Sequence, residues 1–411
     1  MATGEIILLN KTPLLTPSKI LLPASKSESN RALIISALSP GNSSLKNLSE
    51  ARDTQIMQSL LQSDLEEWDA RDAGTTFRFL TAYAALTQQN KILTGTERMQ
   101  KRPIGLLVEA LKKVGAKITY LGESGYPPLK IQRMERQKVH ELDIRGDISS
   151  QYISALMMIA PNLKQGLVIN FEGKVTSLPY LKMTTSIMEI FGAIIHWEDK
   201  QVTIEPYPYH SGEFSVESDW SAASYWYSLV TLADKASIEL MGLKKESHQG
   251  DQEIVEIMKK LGVKTRFNAQ SVLLEKTEEI SSEINLDFAH CPDLAQTIAV
   301  ICAVKNVRCI MTGLESLKIK ETDRILALQQ ELAKIGAKLI ENENQWILEP
   351  SDQPINWSDP LRFESYEDHR MAMAFAPLCT HGNIRIEDPS VVNKSYPKFW
   401  KDLQSVGIKV N

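Results

Sequence analysis

Apolar residues recur along this chain in two alternating helical patterns. The first opens on a polar cluster and continues almost uniformly apolar: SNRALIISAL (29–38), GTTFRFLTAYAAL (74–86), SSQYISALMMIA (149–160), DWSAASYWYSLVTLA (219–233), PDLAQTIAVICAV (292–304) and DHRMAMAFAPLC (368–379). A helix with no polar face belongs inside a core. The second is amphipathic, with apolar positions at i, i+3 and i+4, and closes on glycine: LVEALKKVGAKI, SIMEIFGAII, EIMKKLGVKT, LQQELAKIGAKL and FWKDLQSVGIKV. Gly115, Gly192, Gly262, Gly336 and Gly407 fall where a helix C-terminus wants a left-handed residue. Short alternating stretches such as GLVINFEG separate the two helices, and hairpin patterns such as GAIIHWEDKQVTIEP follow the first four glycines.

The repeating unit therefore reads β-α-β-α-β-β, with a period of about 70 residues, long enough for a packed layer rather than a solenoid turn. A degenerate copy, TQIMQSLLQSDLEEW at 54–68, brings the number of units to six. Six units divide into two similar α/β domains of three βαβαββ repeats each, with pseudo-threefold symmetry. The last unit stops at GIKVN, and the N-terminal GEIILLN is expected to supply the strand it lacks. That assigns residues 1–24 and 217–411 to a C-terminal-type domain and residues 25–216 to an N-terminal-type domain.

Composition narrows the function. The 411 residues carry a net charge of -5, which leaves no whole-chain field for nucleic acid or an anionic membrane. Any basic site must be local. Hydrophobic residues at 43% and charged residues at 24% exclude a disordered or fibrous chain. Cys291, Cys302, Cys309 and Cys379 show no metal-ligand spacing and read as reduced core residues. The start, MATGEIILLNKTPLL, lacks the pattern of a signal peptide, and no apolar run approaches the ~18 residues of a membrane span. The expectation is a cytoplasmic monomer without membrane or nucleic-acid partners. No Walker loop, GxGxxG, GxSxG, HExxH or CxxC occurs, so nucleotide, metal and serine or cysteine nucleophile chemistry lack support.

The chemistry sits at the starts of the apolar helices, where free N–H groups and the helix dipole favour anions. Ser25-Lys26-Ser27-Glu28-Ser29-Asn30-Arg31 opens the first, and Asp72-Ala73-Gly74-Thr75-Thr76-Phe77-Arg78 the second, with Arg98 and Arg102 downstream. Ser149-Ser150-Gln151 opens the third, and Ser177-Leu178-Pro179-Tyr180 the helix after it. Asp219, Asp293, Lys320-Glu321-Thr322-Asp323-Arg324, Asp368-His369-Arg370 and Lys394 complete the set. Each cluster alone is equally an ordinary N-cap or a solvated charge. Brought together, they form an anion site.

Taken in order, LPASKSESNRALIISAL, DAGTTFRFL, ERMQKRPIG, DISSQYISALMM, SLPY, SDWSAASY, HCPDLAQT, KIKETDRI, YEDHRMAM and NKSYP closely resemble the 5-enolpyruvylshikimate-3-phosphate synthase family, and they span residues 22 to 397. The resemblance implies the two-domain enolpyruvyl transferase fold, with the active site in the interdomain cleft. It implies transfer of the enolpyruvyl group of phosphoenolpyruvate to the 5-hydroxyl of shikimate 3-phosphate with release of phosphate, a step of aromatic amino-acid synthesis that uses no metal or organic cofactor.

By the same resemblance, shikimate 3-phosphate meets Lys26, Ser27, Arg31, Ser149, Ser150, Gln151, Ser177, Tyr180, Asp293 and Lys320. Phosphoenolpyruvate meets Lys26, Gly74, Arg102, Gln151, Arg324, Arg370 and Lys394. Asp293 is the implied base for the hydroxyl, Glu321 the acid/base at the methylene carbon, and Lys26 a charge stabiliser for departing phosphate. Three positions depart from the family pattern: Asp72 for Asn, Phe79 for Pro, and Ser316 for Asn. An acid at 72 needs Arg78 or another cation beside it. The sister family that acts on UDP-N-acetylglucosamine generally uses a cysteine, sometimes an aspartate, in a loop of the N-terminal half, and the comparable ERMQKRPIG has no cysteine.

Overall fold

The six apolar stretches form the helices Lys26–Leu38, Gly74–Leu86, Ser150–Ile159, Trp220–Leu232, Ala295–Val304 and His369–Phe375. The last two are shorter than their patterns, because Pro292–Leu294 and Ala376–Thr380 are 3-10 turns. Pro377, which follows the helix His369–Phe375, lacks the N–H that would continue its α-helical ladder. The computed structural model describes residues 5–87 and 90–411, so Gly4 of the N-terminal strand pattern lies outside it.

The chain separates into two compact units, Met1–Pro23 with Glu217–Asn411, and Ala24–Val216. In the Ala24–Val216 unit, Lys26–Leu38, Gly74–Leu86 and Ser150–Ile159 pack against one another. In the other, Trp220–Leu232, Ala295–Val304 and His369–Phe375 do the same. Burial on all sides explains their lack of a polar face. It also draws the three helix starts of each unit together.

Five four-stranded sheets share one order: first, second, fourth and third strand of the repeat. In Glu67–Asp69, Lys91–Thr94, Lys117–Tyr120 and Leu129–Gln132, the first two strands are parallel and the last two form an antiparallel hairpin. The sheet of Leu361–Phe363 and Ile384–Glu387 takes its remaining strands from both chain ends. Ile6–Asn10 pairs with Ile384–Glu387 on one side and Lys409–Val410 on the other, with Leu9 opposite Val410.

The first repeat differs from the six-fold pattern. Its sheet has two strands among the described residues, Ser44–Lys46 parallel to Glu213–Ser215. The helix Arg52–Leu61 ends on Gln62 at φ -92° rather than on a glycine. The exposed Gln62, Asp64 and Leu65 offer no alternating apolar pair for a hairpin.

The five repeat glycines all have positive φ, from 79° at Gly336 to 130° at Gly115. At Gly115 an added Cβ would run into the Arg136 carbonyl oxygen. The four cysteines are free and buried. Among the described residues no helix is long and apolar enough to cross a membrane.

Candidate active site

The Ala24–Val216 unit gathers its candidates at the starts of the packed helices. Ser25 caps Lys26–Leu38. Lys26 Nζ lies 3.3 Å from Oδ2 of the buried Asp53. Arg31 is buried and donates to Thr184 Oγ1 at 2.7 Å, the Ser27 carbonyl at 2.9 Å and Ser154 Oγ at 3.3 Å. Its guanidinium lies 5.3 Å from the Phe79 ring centroid and 5.9 Å from that of Tyr180. Burial lowers its pKa to about 10, so it stays cationic at neutral pH. The departure at Phe79 thus supplies an aromatic face for this cation.

Gln151 Nε2 donates to Thr75 Oγ1 at 3.1 Å, tying the third helix start to the second. Gly74 is where two guanidiniums converge: an added Cβ would lie 2.6 Å from Arg78 Nη1 and 2.6 Å from Arg102 Nη1. Arg102 Nε is buried without a hydrogen-bond partner among the described residues. Ser149 and Ser177 occupy N-cap positions, and neither spends its side chain on the cap. Ser150 begins the third helix. Ser177 has φ 55° and ψ 33°, a left-handed conformation that costs a serine about 1–3 kcal/mol and that clusters at functional sites. Asp72 has its cation, but that cation is Arg52, whose Nη2 lies 2.8 Å from both carboxylate oxygens.

The second unit builds a denser cluster around Arg324, which is buried at the start of the helix Arg324–Ala333. Its guanidinium contacts three carboxylates: Asp368 Oδ2 at 2.7 Å, Glu321 Oε2 at 2.8 Å and Asp293 Oδ1 at 3.1 Å. Burial penalises this cation, but Asp368, Glu321 and Asp293 together raise its pKa above the ordinary arginine value. Arg370 Nη2 donates to Asp293 Oδ2 at 2.7 Å, so each oxygen of Asp293 faces a guanidinium. Lys394 Nζ stands 3.8 Å from Glu321 Oε1.

Burial pushes the Asp293 carboxyl up, while Arg370, Lys320 and Arg324 outweigh it and hold Asp293 well below the usual carboxylate range. Burial lowers Lys320, and Asp293 offsets part of that. His369 is buried, with Nδ1 3.7 Å from Asp368 Oδ1. Ser316 is exposed in the 3-10 turn Glu315–Ile319.

The helix starts therefore converge within each unit, but these cations do not simply await an anion. Arg324, Arg370, Lys394 and Lys26 already contact carboxylates. Two acids escaped the sequence reading. Asp53 lies at the start of the degenerate repeat's helix. Asp251 precedes the amphipathic helix Ile254–Lys259 and bonds Ser221 Oγ. The signal for both is a carboxylate at the start of an amphipathic helix, the counterpart of the polar clusters that open the apolar ones.

A family model described as EPSP synthase (3-phosphoshikimate 1-carboxyvinyltransferase) matches residues 16–66 and 58–403. The 3-phosphoshikimate 1-carboxyvinyltransferase of Bacteroides fragilis (strain YCH46) is 47% identical over 393 residues, covering 95% of each chain. The enzyme of that name from Methanospirillum hungatei is 34% identical over 417 residues, covering 93% of this chain and 94% of its own. The solved structure of EPSP synthase from Acinetobacter baumannii superposes with a TM-score of 0.79 at 20% identity, over 99% of each chain. The enolpyruvyl transferase NikO of Streptomyces tendae gives 0.76 at 11% identity, again over 99% of each. The fold is that of the two-domain enolpyruvyl transferases, and the chain belongs to the EPSP synthase (3-phosphoshikimate 1-carboxyvinyltransferase) family.

Proposed function

We propose that this chain transfers the enolpyruvyl group of phosphoenolpyruvate to the 5-hydroxyl of shikimate 3-phosphate and releases phosphate, as a cytoplasmic enzyme acting on these two small molecules. Family membership supports the reaction. The observation that carries the residue roles is the Arg324 cluster, in which one buried guanidinium holds both Asp293 and Glu321.

The reaction needs two proton transfers. Asp293 takes the proton of the 5-hydroxyl as its oxygen attacks C2 of phosphoenolpyruvate. Glu321, protonated from solvent once the incoming carboxylate has taken over Arg324, gives that proton to the methylene carbon, and the tetrahedral adduct carries a methyl group. Glu321 then removes a methyl proton, the C2–O bond to phosphate breaks, and the enol ether forms. Lys26 stabilises the departing phosphate and donates the proton it gains. Before substrate arrives, Asp293 is a weak base, because two guanidiniums stabilise its charge. When the carboxylate of phosphoenolpyruvate draws on Arg324 and Arg370, that hold loosens and Asp293 gains basicity as its proton acceptor role begins.

Shikimate 3-phosphate is assigned to Lys26, Ser27, Arg31, Ser149, Ser150, Gln151, Ser177, Tyr180, Asp293 and Lys320. Ser149 and Ser177 suit this role, since their hydroxyls are not committed to caps. Phosphoenolpyruvate is assigned to Lys26, Gly74, Arg102, Gln151, Arg324, Arg370 and Lys394. Gly74→Ala is expected to push Arg78 and Arg102 aside and raise KM for phosphoenolpyruvate roughly 10- to 100-fold, the scale of a 1 Å misplacement. The KM for shikimate 3-phosphate should stay near wild type. Steady-state kinetics with each substrate varied checks this, and an unchanged KM for phosphoenolpyruvate removes Gly74 and Arg102 from that site.

Phosphorus NMR of the reaction tests the function. The phosphate ester signal of phosphoenolpyruvate should be replaced by inorganic phosphate while the 3-phosphate of the acceptor persists. Loss of the 3-phosphate instead would mean a phosphatase.

A further inference from the structure

We infer that Asp251 is a positioning residue for Arg370, acting through the hydroxyl of Ser221. The inference rests on the reading of Arg370 as a phosphoenolpyruvate ligand. Arg370 has two kinds of partner. One is Asp293, whose Oδ2 lies 2.7 Å from Nη2. The other is neutral: the Asp293 backbone carbonyl 3.4 Å from Nη1, and two hydroxyls on the core helix Trp220–Leu232, Ser221 Oγ 3.4 Å from Nη2 and Tyr225 OH 3.4 Å from Nη1. An arriving carboxylate competes with Asp293 for the guanidinium, because both are anions. It does not displace the hydroxyls, which therefore hold Arg370 in place during the exchange.

A serine hydroxyl has one proton and can rotate. Ser221 Oγ keeps its lone pairs towards Arg370 only if its proton goes elsewhere, and it donates that proton to Asp251 Oδ2. Asp251 is buried, and its Oδ1 has no partner among the described residues, so this carboxyl is not there to form an ion pair. The groups around it are Asp219 at the cap of Trp220–Leu232, Cys291 and Asp293 from the turn before Ala295–Val304, and Arg370. Burial and the charge of Asp293 push its pKa up to about 7. An oxygen acceptor for Ser221 exists whether or not Asp251 is charged. Its acceptor atom, not its charge, carries the role.

The test is kinetic, on the full chain with both substrates. Asp251→Ala should raise KM for phosphoenolpyruvate about tenfold, the scale of one hydrogen bond to a charged group. Its kcat and KM for shikimate 3-phosphate should stay within about twofold of wild type. Asp251→Asn, which keeps an acceptor oxygen, should restore the wild-type KM. Ser221→Ala should match Asp251→Ala, and the double variant should be no worse than either, since both break one chain. An unchanged KM in Asp251→Ala, a parallel loss of kcat and both KM values, or additive effects in the double variant would overturn the inference. So would Asp251→Asn behaving like alanine. If Asp251→Ala fails to fold, Ser221→Ala and Asp251→Asn decide the matter. A wild-type protein that turns over while these variants match it sinks only the inference, whereas a silent wild-type protein sinks the functional reading with it.

Discussion

Replacing Asp293 by asparagine is expected to lower kcat by about 10²–10⁴-fold, the usual contribution of a general base, without raising KM for phosphoenolpyruvate. The variant keeps the shape of the turn Pro292–Leu294 but cannot accept the proton of the 5-hydroxyl. Its effect on binding follows from the pairings. Asp293 now engages Arg324 and Arg370 with one oxygen each. An amide presents N–H groups to one of those guanidiniums, so at least one is released to the incoming carboxylate. Turnover should collapse while affinity holds or improves. Glu321→Gln should lose turnover on the same scale, with a different signature: solvent deuterium should no longer enter the methylene group of recovered phosphoenolpyruvate or product. Rapid-quench kinetics in both variants checks these outcomes, and near-wild-type kcat in both would remove the acid–base assignment.

The second large effect concerns stability. Arg324→Ala would leave Asp293, Glu321 and Asp368 clustered without the cation that now joins them, and Asp368 is fully buried. Stripping one partner from a buried ion cluster costs about 3–5 kcal/mol, because the remaining charges cannot regain their hydration. For a folding unit of roughly 200 residues, this corresponds to a Tm lower by about 6–20 °C. Arg324→Lys should recover only part of it, since one ammonium cannot present a planar fork to three carboxylates. Calorimetry of the three proteins decides the point, and a loss below about 1 kcal/mol in the alanine variant would show that the cluster is not held by Arg324.

The parts of this fold legible in the sequence are those fixed by local periodicity and burial. A helix such as Trp220–Leu232, apolar on every side, has no stable place except among other helices, so its bounds and its burial followed together. The five repeat glycines marked helix ends because only a residue without Cβ sits easily at their positive φ. Side-chain pairings were not legible. That Arg52 would meet Asp72, or that Arg324 would hold Asp293 and Asp368 besides its chain neighbour Glu321, depends on helix starts meeting in space from separate parts of the chain. The missing hairpin after Arg52–Leu61 was only half legible: the absence of a glycine was visible, but the repeat pattern outweighed it. Asp53, in the first turn of Arg52–Leu61, and Asp251, in the turn before Ile254–Lys259, were not legible, because an amphipathic pattern reports packing and says nothing of the chemistry at a helix start.

The most direct test of the whole account is inorganic phosphate release by the purified full chain given phosphoenolpyruvate, with shikimate 3-phosphate or UDP-N-acetylglucosamine as acceptor. Phosphate should appear with shikimate 3-phosphate alone, in amounts equal to the enol ether formed. Phosphate released with UDP-N-acetylglucosamine, or with neither acceptor in protein shown to be folded, would contradict it.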